Sequence, residues 1–187
     1  MTKGDALRDL TAAAIIDSTA ALFAEHGPVA SMEEIAAAAG VGRATLYRYF
    51  PSRDELLKAM AVTSIRELAT RITEADLETV AFPEAIARLA RAIIATGSKY
   101  IAVSGDSAKY SATHPEFNSD VIEPIHALFV RAHAAGFLRA DLPPELAMDL
   151  FGAVVRGALD ATAAGRSTTE EAAAAVTGVF LNGARAS

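Results

Sequence analysis

With 187 residues, 52% of them hydrophobic, the chain can bury a sizeable core, as one compact body or as a small module joined to a larger one. It has no cysteine, which excludes a disulfide framework, thiolate chemistry and thiolate metal sites; no apolar run approaches a membrane span and no apolar stretch follows the N-terminal charges, so a cytoplasmic protein with no membrane partner is expected. The net charge of −6 argues against nucleic acid only until its distribution is read: residues 1–71 hold 8 Lys+Arg against 9 Asp+Glu, residues 72–187 hold 9 against 14.

Most of the acidity therefore lies in the later part, and a local basic surface in the first part can still bind phosphates. Much of the hydrophobic content is alanine, the best helix former, and alternating β-branched runs are scarce, so the expected fold class is all-α.

Residues 1–8 read as a polar arm carrying Lys3 and Arg8. A helix is predicted from about Asp9 to His26, with Ile15, Thr19, Leu22, Phe23 and His26 at helical spacing. Gly27-Pro28 stops it. Ser31 and Glu34 form an S-x-x-E capping box, so the next helix starts at Met32. Gly40 ends that helix, because the position after a helix commonly needs positive φ. Val41 is expected to be buried in the turn, and Gly42 opens a third helix on which Leu46 and Phe50, four apart, face the core. Proline disfavours helix in the residue before it, so Phe50-Pro51 closes this unit. Ser52 and Glu55 repeat the box and start a helix to about Ala75. Later come helical stretches over 85–103 (Ile86, Leu89, Ala90, Ile93, Ile94 and Ile101 on one side), 117–135 (Val121, Ile125, Leu128, Phe129, Ala132) and from Leu142-Pro143-Pro144 to Gly165. A third box, Thr168 and Glu171, opens the last helix, to about Ala184. Residues 105–115 read as a short helix or loop, and about nine helices are expected in all.

The stretch from Ser31 to Leu56 carries the most specific signal. Its pattern resembles the helix-turn-helix of TetR-family transcriptional regulators, T-x-x-x-I-A-x-x-A-G-V-s-x-x-t-L-Y-x-h-F-x-s-K-x-x-L. The chain supplies Ile35-Ala36, Ala39-Gly40-Val41, Thr45-Leu46-Tyr47, Phe50, Ser52 and Leu56. With Ile15 to Gly27 upstream, the match covers roughly the first third of the protein. Gly42 stands where the family usually has serine, Tyr49 where histidine is commoner, and Arg53 where lysine is usual.

Arg43 is the leading candidate for base contact, since a guanidinium can pair bidentately with guanine O6 and N7. Ala44 has room for a thymine methyl. Tyr47 matches the family's tyrosine that reaches the major groove or a neighbouring phosphate. Thr45, Arg48 and Tyr49 flank the helix and are expected at phosphates, which set register without reading sequence. Arg53 is assigned a phosphate by the same resemblance.

The resemblance implies a DNA-binding domain over 1–52 and a ligand-binding and dimerisation domain over 53–187. It further implies a cavity among the middle helices whose small-molecule effector shifts the connecting helix and changes the separation of the two reading heads. Met60, Tyr100, Tyr110, His126, Phe129 and Phe151 are candidate lining residues, an apolar wall with polar handles. The last two helices are rich in small residues (Gly152, Ala153, Gly157, Ala158 and Ala161; Ala172 to Ala175 and Gly178), and the family pairs these helices across a homodimer; tight packing within one chain is the alternative. The expected function is a ligand-responsive repressor on a palindromic operator, with an activator or protein-cued regulator as the alternative.

A helical enzyme is the remote alternative. Gly40-Val41-Gly42 begins a G-x-G-x-x-G pattern, but Thr45 occupies the third glycine and the segment follows a helix rather than a strand. His114, Glu116, Asp120 and His126 match no tight ligand spacing, so no metal and no cofactor is expected.

Overall fold

Alanine, leucine and isoleucine recurring every three or four residues give helices throughout the computed structural model, which describes residues 3–100 and 117–184. No strand occurs among the described residues. They divide into two compact units: residues 3–64 with Lys99 and Tyr100, and residues 65–98 with 117–184.

In the first unit, α1 (Lys3–His26) turns Ile15, Ile16, Ala20 and Phe23 inward. It starts six residues before the predicted Asp9. Residues 3–8 contain no proline, so nothing in their backbone chemistry halts the helix. The buried polar side chain Thr19 returns its hydroxyl to the Ile15 carbonyl at 2.7 Å, so the group is not left unsatisfied in the core. The capping box forms as expected before α2 (Met32–Ala38): the Ser31 amide donates to Glu34 Oε2 at 2.7 Å and the Glu34 amide to Ser31 Oγ at 3.3 Å. Gly40 (φ 65°) ends this helix in a Schellman closure, Val41 N to Ala36 O and Gly40 N to Ala37 O. Val41 itself is half-buried rather than buried.

Helix α3 (Arg43–Tyr49) follows, seated by Leu46 and Phe50, both buried. Helix α4 (Arg53–Glu74) starts one residue after Ser52, whose hydroxyl accepts from the Glu55 amide at 3.2 Å. Here only half of the box forms, because the Glu55 carboxylate turns to Lys58 at 2.8 Å. Leu56 and Met60 are fully buried. The division between units falls within α4, after Ser64.

In the second unit, α5 (Phe82–Lys99) buries Ile86, Leu89, Ala90 and Ile94. A π turn, Asn118–Ile122, leads into α6 (Glu123–Ala134), where sequence periodicity predicts one continuous α-helix. Pro124 explains the difference. It has no N–H and its ring crowds the carbonyl four residues back, and widening the turn relieves that crowding. Helices α7 (Pro144–Ala163) and α8 (Thr169–Ala184) complete the unit. Phe129, Phe151 and Phe180 meet at its centre with ring centroids 5.3–5.8 Å apart, and Phe82 adds an edge contact to Phe129. At Gly97 of α5 the Leu159 side chain of α7 fills the space a Cβ would take, 2.7 Å from Leu159 Cδ2, so a side chain there would make that leucine move.

Candidate nucleic-acid interface

Burying Leu46 and Phe50 leaves the opposite side of α3 in solvent. Arg43, Ala44, Tyr47 and Arg48 are exposed on it, with Thr45 and Tyr49 half-buried at its edges. A seven-residue helix presenting one guanidinium at its first turn, then a methyl, a hydroxyl and a phenol, offers both donors and apolar contact to the edges of bases. No side chain caps its N-terminus at Gly42, so its first amides remain directed outward, which favours an anion such as phosphate.

The cationic groups differ in how they are held. Arg43 Nη1 lies 2.7 Å from Glu33 Oε1 on α2, in a pair that stays well exposed. The Tyr49 ring has two guanidinium neighbours, Arg48 at 5.6 Å and Arg8 of α1 at 6.0 Å, within cation–π range. This places three potential phosphate ligands together, one of them from the segment read as an arm. Arg53 is engaged inside the unit: Nη1 donates to Ala30 O, Nη2 to Pro28 O, and the guanidinium lies 5.2 Å from the Phe23 ring centre. It therefore fastens the loop that enters α2 and, through it, the capped start of the helix-turn-helix.

Of the candidate effector residues, Met60 and Tyr100 are buried in the first unit, while His126, Phe129 and Phe151 belong to the second. Tyr110 lies outside the described residues, as do His114, Glu116, Ile101 and the 105–115 segment. Phe129 and Phe151 contact each other within the aromatic core; His126 is half-exposed, 3.6 Å from Glu145. Two surface clefts of the second unit, about 440 and 450 Å³, include none of these residues. Sequence reading passed over Thr96. Thr63, Thr70, Thr73, Thr162 and Thr177 all donate to the carbonyl four residues back. Thr96 Oγ1 is buried with no hydrogen-bond partner among the described residues, so a bound polar group would satisfy it. No group of three metal-ligating side chains occurs among the described residues.

Helix α7 has more apolar residues than one face can hold. Ala147, Phe151 and Val155 point inward, whereas Leu146 and Leu150 remain 47% exposed beside the 62% exposed Val179 of α8. Among the described residues, Gly157, Gly178 and Gly183 are also unexplained, since a Cβ at any of them would meet nothing within 4 Å.

Residues 15–60 match the family description "Bacterial regulatory proteins, tetR family", a span holding α2, α3 and the start of α4. Over 168 residues the chain is 27% identical to the HTH-type transcriptional regulator NfxB of Pseudomonas aeruginosa, covering 84% of this chain and 86% of that protein. Over 54 residues it is 50% identical to the HTH-type transcriptional repressor LfrR of Mycolicibacterium smegmatis, covering 29% of this chain and 28% of that one. The crystal structure of the TetR-like regulator LfrR from Mycobacterium smegmatis in complex with proflavine superposes with a TM-score of 0.73 at 27% identity, over 95% of this chain and 97% of that chain. No described helix is long and apolar enough to cross a membrane.

Proposed function

This chain is a DNA-binding transcriptional regulator of the TetR family, not an enzyme, and we propose that it is a repressor, binding a palindromic operator as a homodimer and released by a small-molecule effector. The observation that carries the reading is the composition of the free side of α3 above the buried Leu46 and Phe50. Arg43, Ala44 and Tyr47 contact base edges in the major groove. Thr45, Arg48, Tyr49 and Arg8 grip phosphates, and Arg53, while fastening the α2 entry loop, offers its remaining N–H groups to the same strand. Two such helices one turn of DNA apart, roughly 34–36 Å, match an inverted repeat.

The second copy is recruited through α7 and α8. An apolar strip of Leu146, Leu150 and Val179, with glycines whose missing Cβ atoms serve no contact inside the chain, supports a helix-to-helix partner surface. The effector enters the C-terminal unit, and it acts only insofar as it binds the DNA-free conformation more tightly than the DNA-bound one. LfrR is a repressor whose structure holds proflavine, so a planar aromatic compound is the first effector to try here.

The test is selection of bound duplexes from a random pool, with Arg43→Ala/Tyr47→Ala alongside the wild type. Enrichment of an inverted repeat by the wild type alone supports the reading, and that duplex then reports on release by proflavine and related compounds. Failure to enrich any sequence in low salt would overturn it.

A further inference from the structure

We propose that Glu33 is a specificity-determining residue of this regulator: its carboxylate holds the Arg43 guanidinium in the orientation that reads one base. The inference rests on the reading of α3 as the helix that enters the major groove. Arg43 is the first residue of α3, where a side chain leans back over the preceding turn and so toward α2. Glu33, in the first turn of α2, meets it there with Nη1 to Oε1 at 2.7 Å. A cation at a helix N-terminus is opposed by the helix dipole, whereas an anion there is favoured. Glu33 is thus well placed on its own helix and offsets a charge poorly placed on the next.

As an exposed ion pair it adds little to stability, which leaves its position beside the reading head in need of another account. Orientation supplies one. A free arginine side chain samples many rotamers, and ordering it opposes binding. Held by charge with Nη1 2.7 Å from Glu33 Oε1, the guanidinium samples fewer positions, and its N–H groups remain available as a fork for guanine O6 and N7. A negative charge this close to the phosphates also lowers affinity for DNA of any sequence. Glu33 therefore trades general affinity for discrimination, and the two effects separate experimentally.

The experiment uses a duplex pool randomised over 20 base pairs, bound by the full-length wild type, Glu33→Ala, Glu33→Gln, Arg43→Ala and the double variant Glu33→Ala/Arg43→Ala. Affinities for the wild-type consensus, its single-base variants and an unrelated duplex are then measured across a salt series. Expected is a loss of preference, about fivefold or more, at the one base-pair position that Arg43→Ala also flattens. Glu33→Ala should keep or tighten binding to the unrelated duplex, Glu33→Gln should retain part of the preference, and Glu33→Ala should add nothing in the Arg43→Ala background. Uniformly tighter binding by Glu33→Ala, with every base preference intact, would overturn the inference and leave Glu33 as a mere phosphate repellent. So would an effect on preference that persists without Arg43. Absence of any base preference in the wild type would instead overturn the reading of α3, and this inference with it; that outcome is distinct because it appears before any variant is compared.

Discussion

Arg53 is held within the fold, and the proposed interface would draw on the same side chain. Sequence resemblance assigns it a phosphate, while its two terminal nitrogens donate to the carbonyls of Ala30 and Pro28 and its plane covers Phe23. Charge-assisted bonds to carbonyls are worth more than neutral ones, and the contact closes a loop across 23 residues of sequence. Arg53→Ala should therefore lower stability by about 1.5–3 kcal/mol, read as a fall in the urea midpoint at unchanged slope. Arg53→Lys should recover less than half, because an ammonium cannot span two carbonyls with a planar fork. An unchanged midpoint in Arg53→Ala would mean that the clamp contributes nothing to stability. For the proposed phosphate role the signature is a salt slope for operator binding reduced by about one in Arg53→Ala.

At the scale of elements, the helix ends decide most of the local structure, and they differ in how far the sequence determines them. The Ser31–Glu34 and Thr168–Glu171 boxes both form as their spacing predicts, since every participant lies within three residues. The Ser52–Glu55 motif has the same S-x-x-E spacing as Ser31–Glu34 but yields only one of its two bonds, because Lys58 competes for the Glu55 carboxylate. In the complete boxes, the backbone and hydroxyl donors of Ser31 and Thr168 hold the Glu34 and Glu171 carboxyls below the usual glutamate range. The sign follows from proton linkage. Below the ordinary glutamate value of about 4.3 the unfolded chain takes up protons that the folded chain still refuses, so stability falls as pH drops through the folded pKa. Glutamine can hold the same capping bonds without titrating. Glu34→Gln/Glu171→Gln should thus unfold along a shallower acid limb than the wild type below about pH 4, while matching its shape near neutrality; parallel limbs would contradict the linkage. Gly42 is the weak end. Its φ of −70° and ψ of 149° suit serine, it makes no side-chain cap, and a Cβ there meets nothing within 4 Å. Gly42→Ser should stabilise by about 0.5–1 kcal/mol through a cap to the Thr45 amide and a less flexible unfolded chain, seen as a melting temperature higher by about 2–3 °C. No increase would show that α3 draws no stability from its N-terminus.

For the molecule as a whole, legibility followed the range of the interactions. The all-α fold, the helix-turn-helix and the exposed side of α3 were open to sequence because they rest on periodicity and on caps a few residues wide. The Arg43–Glu33 pair and the Arg53 clamp were not, since the first joins two helices and the second joins residues 23 apart, and no local pattern marks either. Helix α7 lies between these cases: its helical stretch was visible in sequence, but that Ala147, Phe151 and Val155 are the positions that turn inward was settled only by packing with Phe180 and its neighbours. The outward remainder, Leu146 and Leu150 with Val179, leads to the prediction with the widest reach. A Leu150→Glu/Val179→Glu variant places buried like charges on both sides of a two-fold interface, where each would be desolvated and repelled. The fold should persist, because neither residue enters the core of its own chain, so far-UV circular dichroism stays helical. Light scattering at micromolar concentration should give the mass of a single 19.5 kDa chain where the wild type gives twice that. Binding to an inverted repeat should then fall by roughly 10²–10⁴-fold, the loss expected when two tethered contacts become two independent ones, while binding to a single half-site is unaltered. A wild type that is itself monomeric, or a variant that still dimerises, would move the partner surface away from α7 and α8 and leave their exposed leucines and glycines without a role.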